Sequence, residues 1–307
     1  MRHLLRGVRG ILGGSGILVA GGVTLAEPRL DAEKLSRFER TEDHMGVPFR
    51  LVVYATDERA ANSAMQSAYD RIAELNDIFS DYEPDSELSR LCRSSGPGKP
   101  VKVSPELLNI LNVAQNISRQ STGAFDVTVG PYVRLWRRAR RQLEPVDPRR
   151  LAEAKARVGY GLIKIDPRNK SVELQRDNMR LDLGGIAKGY AADESLLILK
   201  EHVIQYALID ASGDLLVSDP PPGETGWTIG IAALNDPDGE PTEFMLAANS
   251  AIATSGDAYQ HVEIDGIRYS HLLNPKTGIG LMNQSSVTVV APSGTLLITA
   301  ACAPTVT

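Results

Sequence analysis

Two hydrophobic periods run through this chain, and they do not take turns in a regular strand–helix–strand order. From Glu58, apolar side chains fall at Met65, Ala68, Ile72, Leu75 and Ile78, the spacing of a helix with one buried face. A second helix is bracketed by Ser104 as N-cap, Pro105 in the first helical position and Gly123 as the stop. Pro84 breaks the chain between them, and Asp85-Ser86 can cap another helix. Residues 49–55 (FRLVVYA), 226–232 (GWTIGIA), 267–273 (IRYSHLL) and 285–291 (SSVTVVA) read as strands. Residues 160–166 and 171–175 form a hairpin across Pro167-Arg168-Asn169-Lys170, and 205–210 and 214–218 flank the turn Ala211-Ser212-Gly213. A parallel α/β fold requires strands and helices to alternate; this order predicts an α+β fold with mixed sheets and packed helices. No internal repeat of fixed period is present. With 307 residues, 42% of them hydrophobic, there is apolar mass for one large domain or two intimate ones.

The first 26 residues read as a signal peptide. Arg2, Arg6 and Arg9 precede an uncharged run rich in small residues, which closes on Thr24-Leu25-Ala26. An uncleaved membrane anchor is the alternative, although the apolar run is short for a bilayer span. This leader implies work outside the cytoplasm. Residues 27–44 are charged and poor in apolar side chains and read as a linker or leading helix, which leaves 45–307 as the folded domain.

The net charge of −5 argues against nucleic acid as a main partner, because phosphate recognition calls for a basic surface. One run, VRLWRRARRQ at 133–142, is basic. It reads as a solvated helical face, with contact to an anionic ligand or partner as the alternative. Cys92 and Cys302, the only cysteines, make neither a disulfide framework nor a cysteine zinc site and read as small apolar fillers. Gly98-Lys99 is followed by Pro100, where a phosphate-binding P-loop needs Ser or Thr.

Five polar segments interrupt the apolar pattern: HMGVPF (44–49), FSDYEPDSELSRL (79–91), STGAFDVTVGP (121–131), LDLGGIAKGYAAD (181–193) and SHLLNPKTGIG (270–280). Each sets glycine or proline beside a side chain that can stack or hydrogen-bond, and glycine lets backbone N–H groups approach a ligand closely. Tyr82 and Phe125 offer flat faces. Asp126 and Asp182 can accept hydrogen bonds or support a metal. Lys188 can meet a phosphate. The set suits a nucleotide with an aromatic base, whereas the 181–193 corner alone is equally well a tight turn with a solvated lysine.

In their order and wording these segments resemble the ApbE family, the FAD:protein FMN transferases, over residues 45–292; TSGDAY (254–259) and NPKTG (274–278) belong to the same likeness. The resemblance implies an ApbE-like fold, with FAD as substrate and magnesium as metal. The implied reaction moves FMN to a threonine or serine hydroxyl of an acceptor protein with release of AMP, on the outer face of the bacterial inner membrane. By position, Met45, Tyr82, Ala124, Phe125, Asp126, Asp182, Lys188 and Leu273 match the family's FAD contacts, and Gly185 matches a metal ligand acting through its backbone carbonyl. His271 matches a histidine near the reacting phosphate and is the candidate general base; taken alone it reads as a strand-end histidine. Asn274 stands where the family usually has aspartate.

The tail departs from the family pattern. In the family an aspartate follows the last of these strands and a threonine lies four residues beyond it, and both bind magnesium. Here residues 293–307 read SGTLLITAACAPTVT, which puts Ile298 and Cys302 at those positions. Isoleucine has no oxygen to give a hard cation, and a thiol is a poor substitute. Loss of metal stabilisation would cost several kcal/mol, on the order of a thousandfold in rate. The sequence therefore predicts impaired transfer, in a truncated or frame-altered product or a divergent member that keeps flavin binding. A non-catalytic flavin-binding protein, an FAD pyrophosphatase giving FMN and AMP, and a module without ligand are the alternatives.

Overall fold

A computed structural model describes residues 34–231, 239–241, 243–256, 261–282 and 286–297. The leader at 1–26, Ile298, Cys302 and residues 257–259 lie outside these residues.

The centre is a six-stranded antiparallel sheet. Its members are β1 (Ser36–His44), β2 (Val47–Ala55), β6 (Ala207–Ala211), β7 (Asp214–Val217), β10 (Ser250–Gly256) and β13 (Ser286–Ala291), in the order β1-β2-β6-β7-β10-β13. β2 shows why the sheet lies between two layers. Phe49, Leu51, Val53 and Ala55 point into the main core, while Val52, on the other pleat, packs with Leu208, Val217, Trp227, Ile229 and Ile252. On the first face lie α1 (Glu58–Phe79) and α6 (Ala187–Glu201), with α2 (Glu87–Ser94) and α3 (Pro105–Gln120) beside them. The second face is covered by the hairpin of β8 (Trp227–Ile231) and β9 (Glu243–Ala247). A smaller sheet holds β3 (Val101–Lys102), β4 (Ile163–Asp166) and β5 (Ser171–Leu174) in the order β3-β5-β4. The hairpin of β11 (His261–Ile264) and β12 (Ile267–Ser270) packs on α4 (Gly130–Gln142) through Val262, Ile264, Trp136 and Ala139; α5 (Pro148–Lys155) flanks α4.

The helix starts follow the sequence signals. Ser104 Oγ accepts from Leu107 N at 3.1 Å, and Ser86 Oγ accepts from Ser89 N at 3.0 Å. Arg71 ties the helical layer together, with contacts of 2.8 Å to Glu194 on α6 and 3.1 Å to Glu106 on α3.

One reading needs correcting. Ser36–His44, part of the expected linker, is a nine-residue strand paired with β2 from Ser36↔Ala55 to His44↔Val47. Among the described residues it is an edge strand with no strand on its outer side, and its charged side chains pair along the surface (Arg37 with Glu39, Arg40 with Glu42). Charges on an edge strand block unwanted pairing, and they also hide the strand from a hydrophobicity reading.

Candidate functional site

The corner that leads into α6 is where the sequence motifs meet. Asp182 N donates to Val127 O at 2.8 Å, which lays the segment before the corner against the 3₁₀ turn Val127–Val129. Asp182 Oδ1 accepts from Gly184 N at 2.8 Å, closing the turn locally. Its Oδ2 lies 3.6 Å from Arg137 Nη2 on α4. Arg137 also grips Asp81 with both ends of its guanidinium, at 2.6 and 3.2 Å. The same guanidinium carbon sits 3.9 Å from the centre of the Tyr82 ring. Arg137 thus joins segments 79–91, 130–142 and 181–193. Tyr82 is 73% exposed, so much of its ring is open to a planar group. Burial pushes the Asp182 carboxyl above the usual aspartate range and the like charge of Asp81 adds to this; the Gly184 amide and Arg137 pull the other way.

Ala124, Phe125 and Asp126 are buried beside this corner. Asp126 caps the 3₁₀ turn, accepting from Thr128 N at 2.8 Å and Thr128 Oγ1 at 2.6 Å, and Gly159 N donates to Thr128 Oγ1 at 2.7 Å. Burial pushes the Asp126 carboxyl up, against these hydrogen bonds. Phe125 lies against the loop: a Cβ at Gly185 would stand 3.3 Å from its ring edge, a tight approach that glycine avoids.

Lys188, one residue into α6, reaches the turn between β6 and β7. It forms an ion pair with Asp214 and donates to Ala211 O at 3.4 Å. Met45 occupies the β1–β2 turn with φ +51° and packs on the main core. Phe49 of β2 pairs with Ala211, so Met45 and Lys188 share one end of the sheet. The 270–280 segment, which holds His271 and Leu273, packs on α4. Trp136 Nε1 donates to Gly278 O at 2.8 Å, its ring lies 4.9 Å from that of Tyr269, and Leu273 joins the same cluster. Asn274 does the turn work of an aspartate, since its Oδ1 accepts from Lys276 N at 2.9 Å.

The structure therefore gathers Tyr82, Phe125, Asp126, Asp182 and Gly185 around one corner. Lys188 leads from it to the sheet end beside Met45, and α4 carries the His271 segment. Sequence reasoning passed over four contributors. Arg137 sat inside a run read as a solvated face, and at this residue that reading fails, because the guanidinium is partly buried between two carboxylates. Asp81 and Asp214 pair only over long range. Thr128, two residues after Asp126, carried a local signal in the short hydroxyl–carboxylate spacing. Cys92 is buried, as an apolar filler would be, and its sulfur also accepts from Leu181 N at 3.3 Å.

At the far end of the same motif, Asp193 holds the turn that starts at Ser293. Its carboxylate accepts from Gly294 N at 2.7 Å, Thr295 N at 2.8 Å and Thr295 Oγ1 at 2.5 Å. The backbones also meet here: a Cβ at Gly189 would lie 2.0 Å from Gly294 O. The helical turn at residues 294–297 is thus docked. Among the described residues no group of three histidine, cysteine, aspartate or glutamate side chains could hold a metal ion. The sequence beyond supplies Ile298 and Cys302 where the family has its oxygen ligands. The donor set does not fit the family's magnesium site.

The ApbE family model matches residues 45–306. A FAD:protein FMN transferase of Chlamydia muridarum is 31% identical over 251 residues, 81% of this chain and 76% of the relative. Among solved structures, the ApbE protein of Thermotoga maritima superposes with a TM-score of 0.80 at 26% identity, over 88% of this chain and 87% of that one. The flavin transferase ApbE of Vibrio cholerae gives a TM-score of 0.79 at 27% identity, over 89% and 87%.

Proposed function

The chain belongs to the ApbE family, and on that premise we propose that it is a FAD:protein FMN transferase whose site is the Asp182 corner. The observation that carries the proposal is the convergence of three segments far apart in sequence: Arg137 bridges those of Tyr82 and Asp182, and the Asp182 N–Val127 O hydrogen bond adds that of Asp126. Tyr82 offers an open ring face to the isoalloxazine or adenine, and the buried Phe125 backs the corner from the core side. Asp126 and Asp182 offer acceptors to its N–H groups, and burial pushes both carboxyls above the usual aspartate range. Lys188 stands near the FAD phosphates as a cation.

His271 takes the proton from the acceptor hydroxyl. That oxygen forms a bond to the FMN phosphorus while the bridging P–O bond of the pyrophosphate breaks, and the bridging oxygen leaves with AMP. The acceptor is a protein carrying a threonine or serine. The leader pattern at 1–26 supports an extracytoplasmic location with the work done at the outer face of the inner membrane, and no helix among the described residues is long and apolar enough to cross a membrane. Incubating the purified protein with FAD and a threonine-bearing acceptor tests the reaction. Flavin fluorescence on the denatured acceptor with equimolar AMP is the expected result; neither product overturns it.

Ile298 and Cys302 favour a second reading, in which the corner binds flavin without transferring it. FAD fluorescence quenched on binding, with no AMP released, distinguishes that outcome. Under that reading the double variant Ile298→Asp/Cys302→Thr gains AMP release that depends on added magnesium.

A further inference from the structure

The basic helix whose Arg137 closes the site carries more arginines than the site uses. Arg134, Arg137 and Arg141 fall at i, i+3 and i+7 of α4, on one face. They line a cleft of about 450 Å³ that starts at Asp81 and Tyr82 and runs past Arg180. A second cleft of about 380 Å³ adjoins it, sharing Arg134 and Arg180 and adding Arg150 and Arg157. Arg137 is paired with Asp81 and Asp182. The other five have no carboxylate within ion-pair distance among the described residues. The carboxylates in the two linings are Asp81, already taken, and Glu153. A chain of net charge −5 thus concentrates uncompensated positive charge in one groove. Such a groove focuses its field on an anionic partner.

We propose that this double cleft is a docking groove for an extended acidic segment of a partner protein. The proposal rests on the transferase reading, which supplies the partner: the groove opens at Tyr82 and Arg137, so a chain lying in it leads into the flavin corner. The unpaired Arg134 and Arg141 stand about 10 Å apart along the helix axis, a span that an extended peptide covers in about three residues, and Arg180, Arg150 and Arg157 continue the groove. A bilayer surface is too flat to enter the cleft, and a long polyanion would meet the acidic remainder of the surface.

The test is fluorescence anisotropy on the full-length protein with a labelled nine-residue peptide, threonine at one end and glutamate at alternate positions, against the same peptide with glutamine. The glutamate peptide is expected to bind at least about tenfold more tightly and to weaken about tenfold between low and high salt. The Arg134→Glu/Arg141→Glu variant is expected to lose the preference. Arg138→Glu, whose side chain instead bonds Gln142, retains it. Thermal melts check that the variants are folded. Equal binding of the glutamine peptide, or equal loss in Arg138→Glu, overturns the proposal. So does arginine-dependent binding of phosphatidylglycerol vesicles or of a single-stranded oligonucleotide in place of the peptide. No flavin quenching with peptide binding intact would sink the transferase reading and leave the groove standing; quenching without peptide binding would do the reverse.

Discussion

The motif at 181–193 has two ends, and they are built in opposite ways. Asp193, at the back, is saturated: two amides and a hydroxyl donate to one carboxylate, all within 2.8 Å. Asp182, at the front, has one amide, a guanidinium 3.6 Å off and the like charge of Asp81 nearby. A saturated carboxylate fixes one element on another. An under-served buried carboxylate is held in place by its surroundings and waits for a donor. One turn of sequence thus serves two links of the chain from sequence to function. Its second half positions the C-terminal segment, and its first half presents chemistry. Docking at Gly294 and Thr295 does not call on the side chains at 298 and 302, so the tail can be held by Asp193 whatever those positions carry.

The largest expected effect tests the docked end. Gly189→Ala puts a methyl 2.0 Å from a backbone oxygen that has no side chain to move aside. The helices must separate, at a cost of about 3 kcal/mol, and thermal unfolding should report it as a clear fall in Tm. Asp193→Ala removes three hydrogen bonds and leaves two amides to find water; about 2 kcal/mol is expected by denaturant titration. A loss below a few tenths of a kcal/mol in both would show that the C-terminal segment is not held where the contacts place it.

How legible was this from sequence? α2 and α3 were legible because each carries its own punctuation, Ser86 and Ser104-Pro105, whereas α4 and α6 start without a side-chain cap. β2, β6, β7 and the β4–β5 hairpin showed as apolar or alternating runs between turns. β1 did not, because an edge strand is chosen for charge rather than burial. The candidate residues were named by resemblance to a family; the structure sets Phe125 beside Gly185 and Asp182 against the 3₁₀ turn. Arg137 and Asp193 were not. Each acts on a residue 45 or more positions away (Arg137 on Asp81 and Asp182, Asp193 on Gly294), and no local periodicity encodes a partner at that distance.

A smaller effect, of opposite sign, is expected at the front end. The folded pKa of Asp182 lies above the ordinary value of 3.8, so the folded state holds that proton more tightly than the unfolded chain. The aspartate therefore costs no stability below pH 3.8. It costs progressively more as pH rises from there through the raised pKa, and the full amount above it. Asp182→Asn abolishes the titration. The variant should be more stable than the wild type at pH 7, and the gap should close as pH is lowered toward 4. It should also bind FAD more weakly, because an amide replaces the acceptor. A stability gap that does not change with pH would mean that Asp182 is no less comfortable than Asp193.

The smallest effect belongs to Lys188, between the two ends. Its ammonium already has Asp214 and the Ala211 carbonyl, and its side chain is 25% exposed. Lys188→Gln should cost about 0.5 kcal/mol, the range of a partly solvated ion pair. If the lysine also meets the FAD pyrophosphate, affinity for FAD should fall severalfold while affinity for riboflavin, which has no phosphate, stays level. Asp214→Asn then acts in the other direction: it frees the ammonium, and FAD should bind more tightly. Equal losses for FAD and riboflavin in Lys188→Gln would assign the lysine to the docked half of the motif, as a strut between α6 and the β6–β7 turn, and move the boundary between the two halves forward to Gly185.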